Sequence, residues 1–194
     1  MFDLQQFIID CRTAVLQDPS NKLLREVVAR AVSKPSDVIE VLGEPERGQL
    51  QSLHHSSELT ILNVIWAPKM TLFPHNHVMP AVIGIYTGRE DNIFWRRVPG
   101  GPQGRVEAVA AKSLCDKDAF SLGRDIIHSV TNPITRLTGA LHVYGGDFFN
   151  APRSEWDPET LLERRCDVER LQRIFEEENA RYPASQASVS SPNR

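Results

Sequence analysis

The segment LTILNVIWAPKMTLFPHNH, residues 59–77, contains the pattern that decides the fold class. It begins with an apolar, β-rich run from Leu59 to Trp66, which has the length of a strand. Ala67-Pro68-Lys69 then gives a turn signal, and the segment ends in His75-Asn76-His77. This order predicts two short strands joined by a turn, with the paired histidines on the second strand.

Similar short apolar runs, separated by turn residues, continue to about residue 150. Regular spacing of this kind is typical of an all-β sandwich or barrel. No helix-length pattern interrupts the runs, which argues against a parallel sheet with alternating helices. The further predicted strands are Ala81–Thr87, Asn92–Arg97, Val106–Ala111, Asp125–Val130 and Gly139–Tyr144.

Helical patterns lie on both sides of this β region. Before residue 45, apolar residues recur at three- and four-residue steps, which predicts helices that end near Asp18, at Ser33-Lys34-Pro35 and at Gly43. After residue 150, Asp157 is a candidate cap, and Pro158 suits the first position of a helix. Helical spacing continues from there to Phe175.

The chain therefore predicts one domain over residues 1–182. Its parts are a helical N-terminal part at 1–45, a β-barrel at 48–150 and a C-terminal helix at 157–181. Residues 183–194 are rich in Ser, Ala and Pro, which favours a disordered tail.

Charge and composition exclude several classes of protein. The 194 residues include 22 Lys+Arg and 25 Asp+Glu, a net charge of −3, which gives no basic footprint for nucleic acid. No apolar run approaches the ~18 residues of a membrane span. The first residues carry an acid and no basic stretch, so no secretory signal is expected. Three widely spaced cysteines suggest free thiols in a reducing, cytoplasmic setting.

All six histidines lie in the β region. Because residues two apart on a strand point to one face, His75 and His77 are expected to share a space and could share a metal. His128, on another predicted strand, would complete a set of three imidazoles and leave open metal positions for chemistry. The alternative interpretation is a pair of partly exposed histidines and a third beside a turn.

His142 and Tyr144 repeat the same spacing on the last predicted strand. Their rings are therefore expected to share a face, so that one side chain can orient the other. A phenol near a metal can donate a hydrogen bond to a bound ligand. Ordinary packing would also explain the pair.

The order of these motifs resembles the cupin superfamily, whose fold is a double-stranded β-helix, or jelly-roll, barrel. The matching residues are His75, His77, Gly84 or Gly88, Gly123, His128 and Asn132. The acidic residue that usually follows the first two histidines is missing. A three-histidine cupin of this kind is similar to the thiol dioxygenases, the branch that includes cysteine dioxygenase. Trp66 and the segment Ala140-Leu141-His142-Val143-Tyr144 resemble motifs of that branch.

The resemblance implies a non-haem iron-dependent dioxygenase that converts a small thiol and O2 to a sulfinate. It implies one Fe(II) per chain, bound by His75, His77 and His128, with Tyr144 and His142 as catalytic residues. The expected partners are a cysteine-like or mercapto-acid substrate and O2, and no nucleic acid or membrane. The oligomeric state is not predicted. Asn132 is expected to fix the turn after His128.

Two positions depart from the pattern of the thiol dioxygenases. Ala140 stands where the family has a serine, and Val82 where some members carry a cysteine that crosslinks to the tyrosine. In addition, no arginine matches the family's carboxylate-binding position upstream of Trp66. Arg47 could serve only if the alignment is shifted.

These departures keep two other functions open. One is a cupin enzyme of different chemistry, such as an isomerase, decarboxylase or lyase that uses Mn, Ni or Zn, because three histidines do not select among these metals. The other is a non-catalytic, ligand-binding cupin. His54, His55, Arg96 and Arg97 are expected mainly on solvated faces, with a ligand contact or an anion site as the alternative.

Overall fold

A computed structural model describes residues 1–182 of the chain. The described helices are α1 Leu4–Gln17, α2 Lys22–Val32, α3 Pro35–Leu42 and α4 Val168–Arg181. The strands are β1 Gln49–His55, β2 Thr60–Trp66, β3 Thr71–Asn76, β4 Ala81–Thr87, β5 Arg89–Arg97, β6 Val106–Cys115, β7 Ala119–Leu122, β8 Ile127–Thr131, β9 Thr138–Tyr144, β10 Ser154–Trp156 and β11 Glu163–Arg165. The predicted tail at 183–194 lies outside the described residues.

The strands form two antiparallel sheets. One has the order β1-β2-β9-β4-β7 and the other β11-β10-β3-β8-β5-β6. Residues from the facing sides of both sheets form one apolar cluster, which includes Leu62, Ile83, Leu72 and Val130. With three helices before the strands and one after them, this architecture confirms the predicted mainly β, double-stranded barrel.

The three central strands of the five-stranded sheet, β2, β9 and β4, are buried on both faces. In β4, Ala81, Ile83 and Ile85 pack into the barrel interior, whereas Val82 and Tyr86 pack against the N-terminal helices. The same alternation holds in β2 and β9, all of whose residues are buried. Period-two alternation therefore divides each of these strands between an interior face and a helix-packing face.

The N-terminal helices begin and end at the expected positions. The side chain of Asp3 accepts the backbone N–H of Gln6, which caps α1. Asp18 accepts hydrogen bonds from the Ser20 hydroxyl and from the backbone N–H groups of Leu23 and Ser20, which lower the pKa of Asp18 to about 2 and stabilise the start of α2. Gly43, at φ 86°, ends α3 in a conformation that favours glycine.

The prediction of a C-terminal helix beginning at Asp157 is wrong. Asp157 Oδ1 instead accepts the N–H groups of Glu159 and Thr160, which forms a turn. Leu161 then adopts φ 57°, which a helix does not allow, and the chain pairs back as β11 against β10. Helix α4 begins ten residues later than predicted, where Asp167 provides the actual cap.

Strand ends differ slightly from the prediction, and four strands were not predicted. β8 runs from Ile127 to Thr131 and not from Asp125 to Val130, so that His128 is its second residue. The unpredicted strands are β1, β7, β10 and β11, which are short or polar and so lack the apolar runs that mark the others. Among residues 1–182, no helix has both the length and the hydropathy that crossing a bilayer requires.

Helix α4 covers one side of the barrel. Phe175 stacks on Trp66 with ring centroids 5.6 Å apart, and Leu171 joins the interior cluster. Near the end of the helix, Asn179 exchanges two hydrogen bonds with the backbone of Gly48, at 2.7 and 2.8 Å. The C-terminal helix is therefore part of the wall that encloses the interior.

We expect Gly84→Ala to destabilise the protein, because α2 approaches β4 closely at this glycine. A Cβ at Gly84 would lie 2.4 Å from Val28 Cγ1 and 3.0 Å from Val32 Cγ1. Overpacking of this kind costs about 1–3 kcal/mol of unfolding free energy, measurable by chemical denaturation. The matched control is Gly123→Ala, whose Cβ meets only Ile126 Cγ1 at 3.8 Å. Equal stability of the two variants would contradict the close packing.

Candidate metal centre

Three buried histidines meet inside the barrel. His75 lies near the end of β3 and pairs in register with His128 of β8, and His77 directly follows β3. One ring nitrogen from each lies within 4.8 Å of those of the other two. The His77 and His128 Nε2 atoms are 3.4 Å apart. The structure thus brings together all three residues that the sequence proposed as metal ligands.

Hydrogen bonds on the outer nitrogens orient two of these rings. His75 Nδ1 lies 3.0 Å from the carbonyl oxygen of Phe73, and His128 Nδ1 lies 2.7 Å from Asn92 Oδ1. Each Nδ1 therefore donates its hydrogen, and each Nε2 keeps a lone pair directed inward. This is the usual arrangement of metal-binding histidines, whose second nitrogen is fixed by an oxygen acceptor.

Burial keeps the three imidazoles neutral. It lowers the pKa of His75 to about 4. The pKa values of His77 and His128 are also well below the ordinary range, because burial is reinforced by repulsion from the neighbouring imidazoles. Neutral imidazole is the form that binds a metal, so this donor set fits a divalent first-row ion. A set of three histidines leaves further coordination positions for other ligands.

His142 and Tyr144 lie beside this cluster. Both side chains project from β9 into the interior, and His142 Nδ1 lies 3.2 Å from the Tyr144 hydroxyl oxygen. The tyrosine ring packs against His77 with centroids 4.9 Å apart. Burial raises the pKa of Tyr144, so its phenol remains protonated and able to donate. The pair therefore extends from the five-stranded sheet toward the histidine cluster, which belongs to the six-stranded sheet.

Sequence reasoning missed Arg153, which lines the same cavity. Its side chain is only 4% exposed, and its guanidinium stacks 3.9 Å above the ring of Phe148. Among the described residues it forms no ion pair, and its buried Nε has no hydrogen-bond partner. An unpaired buried cation is costly, so this group favours an anionic ligand.

The backbone around Arg153 is firmly held. The Arg153 carbonyl oxygen accepts the N–H of Cys166, and the next residue, Ser154, donates its N–H to Asn76 Oδ1 at 2.8 Å. Asn76 lies between the two paired histidines. The same short segment of β3 thus positions the histidines and anchors the strand that follows Arg153.

Sequence reasoning also missed a buried carboxylate, Glu90, on β5. It has no exposed surface, and its oxygens lie within hydrogen-bonding distance of Trp66, Asn92 and His142. Glu90 and Asn92 are two residues apart and both face the interior. Their period-two spacing places both on one strand face, but Arg89 and Asp91 on the other face are also polar, so the sequence does not show which face is interior.

The cavity enclosed by these residues is small, about 30 Å³. This size favours a small ligand over a bulky one. Most of the other side chains that line the cavity are apolar, which limits the entry of water. The lining residues are Leu50, Val64, Trp66, Leu72, Phe73, His75, His77, His128, Val130, His142, Tyr144, Phe148, Arg153, Cys166 and Leu171.

The other residues noted in the sequence lie outside this cavity. Arg47 is exposed, and Leu50 lines the cavity in its place. Ala140 belongs to the interior cluster, whereas Val82 packs on the helix side of its sheet, away from Tyr144. Asn132 lies in the turn after β8, where its side-chain amide donates to three backbone carbonyl groups.

The exposed charged residues form surface pairs. Arg96 pairs with Glu107 at 2.8 Å, and Arg97 pairs with Glu163. His55 pairs with Asp147 at 2.9 Å, while His54 is half-buried on the same strand. None of these residues lines the histidine cavity.

Neither a family model nor a curated protein matches the sequence. Among solved structures, an RmlC-like cupin protein with a double-stranded β-helix fold from Methanocaldococcus jannaschii aligns at a TM-score of 0.45 and 8% identity, covering 54% of this chain and 85% of that one. A cupin superfamily protein from Desulfitobacterium hafniense aligns at a TM-score of 0.42 and 16% identity, covering 55% of this chain and 86% of that one. A recombinant oxalate oxidase in complex with glycolate aligns at a TM-score of 0.41 and 12% identity, covering 54% of this chain and 53% of that one. Nothing about the chemistry of the site follows from similarities this distant.

We expect the metal-free protein to lose stability as the pH falls. The three histidines have folded-state pKa values below the unfolded value of about 6.5, to about 4 for His75. The stabilising contribution of the neutral histidines is therefore complete above about pH 6.5 and declines as the pH falls below that value. The loss is about 1.4 kcal/mol per pH unit for each such histidine. Thermal unfolding from about pH 7.5 to about pH 5 measures this slope.

Two variants control this measurement. His75→Gln removes one of the buried groups, so its stability should depend less steeply on pH than that of the wild type. His54→Gln, outside the cavity, should keep the wild-type slope. A wild-type stability that does not change over this range would contradict the buried neutral cluster.

Proposed function

We propose that the protein is a non-haem iron dioxygenase that oxidises a small thiol carboxylate to its sulfinate with O2. One observation carries the proposal: three neutral imidazoles and an unpaired buried arginine face the same small cavity. The first group suits a divalent metal, and the second suits a carboxylate. The balanced reaction is RSH + O2 → RSO2H, so both oxygen atoms end on sulfur.

His75, His77 and His128 would hold one Fe(II) per chain through their inward Nε2 atoms. The ion would supply open positions for a thiolate and for dioxygen, and three neutral ligands would leave its double positive charge to attract the thiolate. The Phe73 carbonyl oxygen and Asn92 Oδ1 keep the His75 and His128 rings in orientation.

Arg153 would bind the substrate carboxylate. Its guanidinium lies against Phe148 and has no carboxylate partner among the described residues, so an incoming carboxylate would form the missing ion pair. Charge-assisted bonds of this type are stronger than neutral ones and fix orientation. The thiol end of a short molecule would then point toward the histidines, which places the two reactive ends in a defined relation.

His142 and Tyr144 would receive the proton of the thiol. The Tyr144 hydroxyl can take this proton while passing its own to His142 Nδ1, 3.2 Å away. The S–H bond breaks, an N–H bond forms, and the resulting imidazolium is balanced by Glu90, whose Oε2 lies 3.2 Å from His142 Nε2. The apolar lining of the cavity keeps water from competing for these groups.

Iron content and oxygen uptake test this function directly. We expect about one iron per chain in protein expressed with iron, consistent with one three-histidine site, and loss of that iron in His75→Ala. Uptake should be rapid with 3-mercaptopropionate or cysteine and poor with cysteamine, which has no carboxylate. Iron without thiol-dependent uptake would contradict the dioxygenase, and absence of any stoichiometric metal would indicate a ligand-binding barrel.

We expect Arg153→Met to raise the KM for a carboxylate thiol by about 10- to 100-fold, the effect of losing a hydrogen-bonded charge pair. The KM for cysteamine should change little, because that substrate makes no use of the guanidinium. Steady-state oxygen uptake measures both constants. Arg165→Met, an exposed change on β11, is the matched control. An equal loss with both kinds of substrate would show that Arg153 does not bind the carboxylate.

A further inference from the structure

Glu90 connects His128, one of the three proposed metal ligands, to the His142–Tyr144 pair. Its Oε2 lies 2.8 Å from Trp66 Nε1 and 3.2 Å from His142 Nε2, and its Oε1 lies 3.0 Å from Asn92 Nδ2. Asn92 Oδ1 in turn lies 2.7 Å from His128 Nδ1. A continuous line of buried hydrogen bonds therefore runs from the metal ligand His128 to the hydroxyl of Tyr144.

The direction of each hydrogen bond follows from the chemistry of the groups. The indole N–H of Trp66 can only donate, so Glu90 Oε2 accepts it. On the other side, a His128 ring that binds metal through Nε2 must carry its hydrogen on Nδ1 and donate to Asn92 Oδ1. The amide of Asn92 then directs its NH2 to Glu90 Oε1. Both carboxylate oxygens therefore act as acceptors.

Glu90 Oε2 also fixes the tautomer of His142. Because Glu90 Oε2 accepts, His142 must place its hydrogen on Nε2 and keep the lone pair of Nδ1. The hydroxyl of Tyr144 then donates to Nδ1, 3.2 Å away. His142 and His128 are thus held in opposite tautomers by one side chain.

We propose that Glu90 is a positioning residue that sets the hydrogen-bond direction in both arms of the site. In one arm it keeps the Nε2 lone pair of His128 free for the metal through Asn92. In the other it keeps the Nδ1 lone pair of His142 free for Tyr144. The inference rests on the proposed metal site, and not on the identity of the substrate.

A carboxylate is required here because no neutral side chain of the same shape accepts at both ends. In Glu90→Gln, one end of the amide donates. If the new NH2 group faces Asn92, the Asn92 side-chain amide must reverse. The Asn92 NH2 then faces His128 Nδ1, and His128 must move its hydrogen to the metal-binding Nε2. If the NH2 faces Trp66, two donors oppose each other and His142 loses its acceptor. Either orientation breaks one arm.

Nitrogen-15 NMR of the metal-free, full-length protein tests the inference without any catalysis. Long-range coupling patterns distinguish Nδ1–H from Nε2–H imidazole. The wild type should show His142 with its hydrogen on Nε2 and His128 with its hydrogen on Nδ1. The opposite tautomer at either ring would overturn the proposal.

The Glu90→Gln variant extends the test. At least one of the two rings should change tautomer, and the affinity for ferrous iron under anaerobic conditions should fall about tenfold or more if the His128 arm is affected, as for other residues that orient metal ligands. Asp91→Asn removes a neighbouring carboxylate that faces outward and pairs with Arg89, so it is the matched control. Unchanged tautomers at both rings in Glu90→Gln would overturn the proposal.

Asn92→Ala tests the His128 arm separately from the His142 arm, and it can be measured even if Glu90→Gln does not fold. It removes the connection to His128 only. We expect weaker iron binding together with an unchanged His142 tautomer, and unchanged iron affinity would contradict the role of this arm. Because tautomers and iron affinity are measured without substrate, a negative result in the thiol assay would leave this inference standing.

Discussion

Burial of both faces of β2, β4 and β9 is the constraint on which the site depends. Helix α2 covers one face of the sheet, so the strands of the barrel can direct alternate residues inward without exposing the others. The interior positions of β9 then hold Ala140, His142 and Tyr144, while Leu141 and Val143 pack against the helix side. A polar side chain on such a strand has no route to water, and it must find its partner inside the barrel.

The interior meets this requirement with one exception. Glu90 accepts from its three neighbours, His128 is bonded through Asn92, and His75 is bonded to the Phe73 carbonyl oxygen. Arg153 alone leaves a buried side-chain nitrogen without a partner in the part of the chain that the structure describes. A network that satisfies its other members marks the unsatisfied one as the place where a ligand completes the structure. In the proposed function, the histidines and this cation would bind the two ends of that ligand.

Local pattern could predict the barrel and the paired histidines. The apolar runs of β2, β4 and β9, which are separated by turn residues, are visible in the sequence, and His75 and His77 have the spacing of one strand face. The hairpin of β10 and β11 could not be predicted in this way, because Asp157 and Asp167 both fit the pattern of a helix cap. Arg153 lies in an irregular stretch between strands, where no periodicity indicates which side chains point inward. Glu90 lies between Arg89 and Asp91. Because the residues on both faces of β5 are polar at that point, the sequence does not show which face is interior.

Helix α4 gives the chain a defined order of assembly. The three histidines and Tyr144 precede Arg153 in the sequence, and Leu171 and Phe175 follow it. During synthesis the ribosome therefore releases the three histidines before the residues that close the wall over them. Until Phe175 reaches Trp66, one side of the nascent barrel stays open to solutes of the surrounding medium. Helix α4, the last helix of the described residues, is thus the last part of the cavity wall to be synthesised.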